Sequence, residues 1–86
     1  MEGLARELVS ALRRRLYGAH LDRLRGLGAA SEKLVYLYLV LAEPQSFTTI
    51  RRGLSLGGRT VDRVLRRLRE RGYVTQDVRF LYWIEE

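Results

Sequence analysis

The fourteen residues from Gly58 to Arg71 constrain this chain more than any others. Val61, Val64, Leu65 and Leu68 recur at i, i+3, i+4 and i+7, the spacing of one buried helix face. On the same helical wheel Arg59, Arg63 and Arg66 project from the opposite side, with Thr60 and Arg67 on its flank. A helix divided in this way needs a core against one face and leaves a row of guanidinium groups on the other. Gly72 stands where a C′ glycine closes a helix. Beyond it, Tyr73-Val74-Thr75 and Arg79-Phe80-Leu81-Tyr82-Trp83-Ile84 are β-branched and aromatic, with Gln76-Asp77-Val78 able to turn between them, which predicts a short hairpin.

Upstream, Thr48 reads as the N-cap of a short helix through about Leu54, with Ile50 and Leu54 facing inward. Ser55-Leu56-Gly57 reads as a tight turn. Ser31, with Glu32 in the first turn, starts a helix that runs to Ala42 and is stopped by Pro44. Its segment Leu34 to Leu41 is apolar all round; the β-branched and aromatic content also allows a strand, but the cap and the length favour a helix buried on several sides. Leu4, Leu8, Ala11, Leu12 and Leu16 mark an amphipathic helix over 2–17, with Arg6, Ser10, Arg13 and Arg14 opposite. Leu21 and Leu24 fall out of phase with that stripe, which predicts a bend or break around Gly18-Ala19 before the connection at Gly26 and Gly28. The expected fold is mainly α: a three-helix core with a short β-hairpin over 31–86, and an extra N-terminal amphipathic helical extension over 1–30.

Charge narrows the function. The 86 residues carry 16 basic side chains against 10 acidic, a formal net charge of +6, and every basic residue except Lys33 is arginine. Residues 51–71 hold eight arginines against Asp62 and Glu70, so the excess lies in one stretch. Like charges at i, i+4 destabilise a helix by a few tenths of a kcal/mol per pair (roughly 0.2–0.5), so a solvated surface is a poor explanation and an anionic partner a better one.

Several chemistries are excluded or unsupported. Cysteine is absent, which removes disulfides, thiol nucleophiles and Cys-based metal sites, and the single histidine, His20, gives no basis for a His metal site. No metal or other cofactor is expected. Gly53-Leu54-Ser55-Leu56-Gly57-Gly58-Arg59-Thr60 nearly spells a phosphate-binding loop, but it has Arg in place of the Lys and no preceding strand. His20 beside Asp22 reads as a solvated loop histidine, and the scattered carboxylates give no support for an enzyme. No apolar run approaches the ~18–20 residues of a membrane span. Glu2 and Glu7 argue against an Arg-rich transit peptide, and Arg15 weakens a membrane-surface reading of the first helix.

Leu54-Ser55-Leu56-Gly57-Gly58-Arg59-Thr60-Val61, Leu65 and Leu68-Arg69-Glu70-Arg71-Gly72-Tyr73-Val74 together carry a resemblance. Ser46 to Ile84 resembles the winged helix-turn-helix domains of small bacterial and archaeal transcription regulators of the MarR/ArsR-like kind, and 31–42 resembles their first core helix. The resemblance implies that Arg59, Thr60, Arg63, Arg66 and Arg67 occupy the DNA-reading helix. It implies that Thr48, Thr49, Arg51 and Arg52 meet the phosphate backbone and that Arg79 lies near the wing. The chain departs from the pattern at Ser55, where glycine is usual, at Gly57, where a Ser cap is usual, and in the acidic Asp77 of a short wing. The metal-sensing thiols of some ArsR-like members are missing, so that sensing is not carried over.

The expected function is double-stranded DNA binding by a cytoplasmic homodimeric transcriptional regulator. The dimer follows from apolar excess: a small core cannot cover every side of 34–41 and both faces of 80–84, so the N-terminal helix and helix 31–42 are expected to meet a second copy. Two alternatives remain open. One is a winged helix used as a protein-interaction module through its hairpin aromatics. The other is an RNA-binding protein, disfavoured because side chains do not readily enter the A-form major groove. The sequence assigns no small-molecule effector.

Overall fold

The computed structural model describes the backbone of residues 2–85 and the side chains of 3–7 and 18–85. Four helices and three strands follow in the order α1 (Glu2–Gly26), α2 (Ala30–Ala42), β1 (Gln45–Ser46), α3 (Phe47–Leu54), α4 (Gly58–Glu70), β2 (Val74–Gln76) and β3 (Leu81–Ile84). The sheet is antiparallel with order β1-β3-β2.

The core forms where the helical stripes converge. Val35, Tyr36 and Leu39 of α2 and Ile50 of α3 pack with Val61, Val64, Leu65 and Leu68 of α4, and all are buried. Val74, Tyr82 and Ile84 close the cluster from the sheet, while Leu81 and Trp83, at alternate positions of β3, are only half-buried. Gly72 at φ +75° ends α4, with the Tyr73 N–H donating to Leu68 O at 3.0 Å as in a Schellman closure. Ser55 takes the left-handed conformation at the end of α3 (φ 54°) where glycine would be unstrained.

The structure departs from the sequence expectation at several places. First, α1 does not break at Gly18-Ala19 but runs on to Gly26. Its last turns present His20, Arg23, Leu24 and, just beyond, Leu27 to the core, so the shifted phase of Leu24 marks a docking face rather than a break. The stripe residues Leu8, Ala11, Leu12 and Leu16, and Ser10, Arg13, Arg14 and Arg15, have side chains outside the described set. Second, α2 begins one residue before Ser31, with Ala29 at the N-cap and no side-chain cap. Third, α2 is buried on one side only: Leu34, Leu37 and Leu41, at i, i+3 and i+7, are 43%, 40% and 81% exposed on the face away from Val35, Tyr36 and Leu39. Fourth, Ser46 rather than Thr48 caps α3, its hydroxyl accepting from Thr49 N–H at 3.2 Å. Fifth, the hairpin gains a third strand, β1, which pairs Gln45 with Tyr82 and Ser46 with Leu81.

The α2–α3 contact depends on a missing methyl group. A Cβ at Gly53 would lie 2.7 Å from the Tyr38 hydroxyl and 3.0 Å from its ring carbon. Gly53→Ala is therefore expected to push the ring aside, and the lost packing to outweigh the roughly 0.5–1 kcal/mol that alanine gains inside a helix, read as a lower urea midpoint. Gly18→Ala, inside a helix like Gly53 and with nothing within 4 Å of the added Cβ, is the matched control.

Candidate nucleic-acid interface

Helix α4 holds its arginines outward because its apolar stripe is fully used. Arg59, Arg63, Arg66, Arg67 and Arg69 are all exposed, and Thr60 is half-buried on the flank. Arg66 pairs with Asp62 one turn back at 2.9 Å, with both side chains largely in water, so the pair is weak. Arg59, Arg63 and Arg69 make no ion pair among the described residues. Arg63, Arg66, Arg67, Glu70 and Arg71 line one open depression, and a second, lined by Arg66, Arg69, Glu70, Val74 and Thr75, carries the basic surface onto the wing.

The supporting helix α3 contributes a second row. Arg51 and Arg52 are exposed in its last turn, and a Cβ on Gly58 would touch the Arg51 side chain at 3.9 Å, so Arg51 lies beside the start of α4. Thr48 is exposed in the first turn; the Thr49 hydroxyl lies 2.9 Å from Ser46 Oγ, committed to the cap.

Arg67 and Arg71 behave differently, and periodicity gave no sign of it. Arg67 Nε meets Glu32 Oε1 of α2 at 3.3 Å. The Glu32 side chain is only 8% exposed, and its Oε2 is buried without a hydrogen-bond partner. Arg71 Nη1 donates to Gly26 O at 2.9 Å, neutralising the carbonyl end of α1. These two arginines tie α4 to the α1–α2 junction.

That junction is built around Tyr36. Its hydroxyl accepts from Arg23 Nη1 at 3.3 Å and lies 2.5 Å from His20 Nδ1. Its ring meets Tyr73 edge-on at 6.1 Å, and the Arg23 guanidinium stacks 4.9 Å over Tyr73. Burial holds the Tyr36 proton more tightly than in an ordinary tyrosine, with the Arg23 hydrogen bond opposing that shift. His20 is thus a docking residue rather than a loop residue.

The wing is organised by Asp77. Its Oδ1 accepts from the N–H groups of Arg79 (2.8 Å) and Leu81 (3.1 Å), and its Oδ2 accepts from Trp83 Nε1 (2.9 Å) and Arg79 Nη2 (3.0 Å). The indole N–H of Trp83 is the main cause holding this carboxyl below the ordinary carboxylate range, helped by the Leu81 and Arg79 donors and opposed by desolvation. Because the folded-state value is depressed, the stabilisation is present above the unfolded Asp value and is lost only as pH falls through the lower folded one. Emission from Trp83, the single tryptophan, is expected to stay flat between pH 7 and pH 3. Asp77→Asn should shift that emission at pH 7; a wild-type transition centred near pH 4 would contradict the assignment.

Two solved structures are similar to this chain over nearly all of it. One is the crystal structure of AbfR of Staphylococcus epidermidis, at 29% identity and TM-score 0.60, covering 95% of this chain and 57% of that one. The other is the structure of disulfide-formed AbfR, at 26% identity and TM-score 0.59, covering 99% and 64%. The fold is a winged helix-turn-helix. This chain spans about three-fifths of the length of the structures it matches. No protein-family model matches it, and no curated protein does. A disulfide has no counterpart here, since these 86 residues contain no cysteine. Among the described residues no helix is long and apolar enough to cross a membrane.

Proposed function

We propose that this chain binds double-stranded DNA as a homodimer and regulates transcription in the cytoplasm, with α4 laid into the major groove. The observation that carries the reading is the outward face of α4, where Arg59 and Arg63 are exposed and unpaired among the described residues and Arg66 is held only by a solvated neighbour. Guanidinium groups so placed suit bidentate contact with guanine O6 and N7. Thr48, Arg51, Arg52 and Arg67 are assigned to the phosphates, with Thr49 beside them on the supporting helix, Thr60 to the DNA-reading helix and Arg79 to the wing contact. The likeness to the two AbfR structures supports this at the level of the fold.

The dimer reading rests on the exposed apolar ridge Leu34, Leu37 and Leu41 of α2; Leu21 of α1 is separately 50% exposed. Residues 1–30 act as the dimerisation extension to the winged-helix domain 31–86. A two-fold contact there sets two copies of α4 on successive turns of the groove, about 34 Å apart.

A sizing run followed by duplex titration at two salt concentrations tests both parts. The wild-type chain is expected to elute as a dimer, and its affinity to fall steeply with log[salt]. Leu37→Asp is expected to elute as a monomer and to bind duplex more than tenfold weaker, since two half-sites no longer act together. Absence of duplex binding at low salt would overturn the reading in favour of a protein-interaction module. Stronger binding to duplex RNA than to DNA would overturn it in favour of RNA.

A further inference from the structure

The wing tip is apolar where a DNA-facing loop would be expected to be cationic. Val78 is 95% exposed and Phe80 72% exposed, on either side of Arg79, whose guanidinium is engaged by Asp77. Phe80 also has a backbone φ of 63°. The tip closes with the Phe80 N–H donating to Asp77 O and the Asp77 N–H to Leu81 O, both at 3.0 Å. This is a three-residue hairpin loop, a turn followed by one left-handed residue, and glycine is the residue that fits the left-handed position. A bulky aromatic there is strained, and this one buries little in return. Strain of this kind persists where a side chain is needed for something outside the fold.

We propose that Phe80 is an apolar wedge that the wing inserts between base pairs from the minor groove, partly unstacking one step. The inference rests on the duplex-binding reading above and names how the wing takes part in it. DNA is favoured as the occupant on two grounds. The basic surface of α4 continues through Arg66 and Arg69 to Val74 and Thr75 of β2, the strand that leads into the tip. Beyond Leu81, where β1 ends against β3, only the loop 78–80 projects, so it is this loop and its apolar side chains that would meet the base steps. Two side chains also offer far less than the ~800 Å² per partner of a stable protein interface.

The test separates the fold from the ligand. A duplex selected by the wild-type chain from a randomised pool is labelled with 2-aminopurine at successive positions, and Phe80→Gly and Phe80→Leu are compared with wild type. Phe80→Gly is expected to melt at a higher temperature, because glycine relieves the left-handed residue. It is also expected to bind roughly tenfold weaker and to lose the 2-aminopurine emission that reports unstacking. Phe80→Leu is expected to keep most of that emission. Equal binding by Phe80→Gly, a flat 2-aminopurine signal with wild type, or a lower melting temperature for Phe80→Gly each overturns the wedge while leaving duplex binding intact. Failure of the wild-type chain to enrich any duplex instead removes the underlying function, and the wedge with it.

Discussion

Arg63→Ala is expected to weaken binding to a selected duplex by roughly 1–3 kcal/mol, a five- to hundredfold loss, while binding to random sequence falls much less. The reason is local. Arg63 lies on the outward face of α4, is exposed, and has no ion-pair partner among the described residues to compete for its guanidinium. A bidentate contact with guanine is made only at the right base, so its removal relaxes specificity. Arg52→Ala is the contrast: a guanidinium that meets only phosphate adds affinity on any sequence, so deleting it weakens binding almost uniformly and reduces the salt slope by about one. Anisotropy titrations on selected and random duplexes distinguish the two patterns, and identical weakening on both for Arg63→Ala would reassign it to the backbone.

Arg67→Ala is expected to act on the fold as well as on DNA. Its guanidinium is the only hydrogen-bonding or ionic partner of the Glu32 carboxylate among the described residues, and that carboxylate is almost wholly buried. Removing it strands a buried charge, which costs several kcal/mol in a fully buried pair; with Arg67 itself 57% exposed, about 2–3 kcal/mol is expected. That is a large share of the stability of so small a domain. Adding Glu32→Gln to Arg67→Ala should return most of the stability, because the neutral amide is far less costly to bury. Denaturant midpoints of the four species give the coupling. If Arg67→Ala is no less stable than Arg63→Ala, the Glu32 contact does not support the fold.

The arrangement of the winged helix was legible because its signals are local. The stripe Val61-Val64-Leu65-Leu68 specifies both faces of α4, and Gly72 marks its end at a φ only glycine adopts easily. What was not legible is tertiary. The face by which α1 docks is formed by His20, Arg23, Leu24 and Leu27 around Tyr36 and Tyr73, residues distant in sequence, so the phase change looked like a break. A two-residue strand at Gln45–Ser46 carries no periodicity of its own and exists because β3 offers it an edge. Glu32 read only as an acid in the first turn of its helix; its burial against Arg67 depends on how α2 crosses α4. Asp77 looked like a charge opposed to DNA, yet it is the acceptor that closes the wing. The arginine row itself was readable, but not which of its members are already held by the protein.

In the proposed function the outward face of α4 reads the major groove. Methylation interference at guanine N7 on a selected duplex tests it most directly, since that atom is exposed only there. Two clusters of interfering guanines are expected about 10–10.5 base pairs apart, one for each copy of α4, with one position in each cluster relieved in Arg63→Ala. Binding that is indifferent to N7 methylation throughout would contradict it.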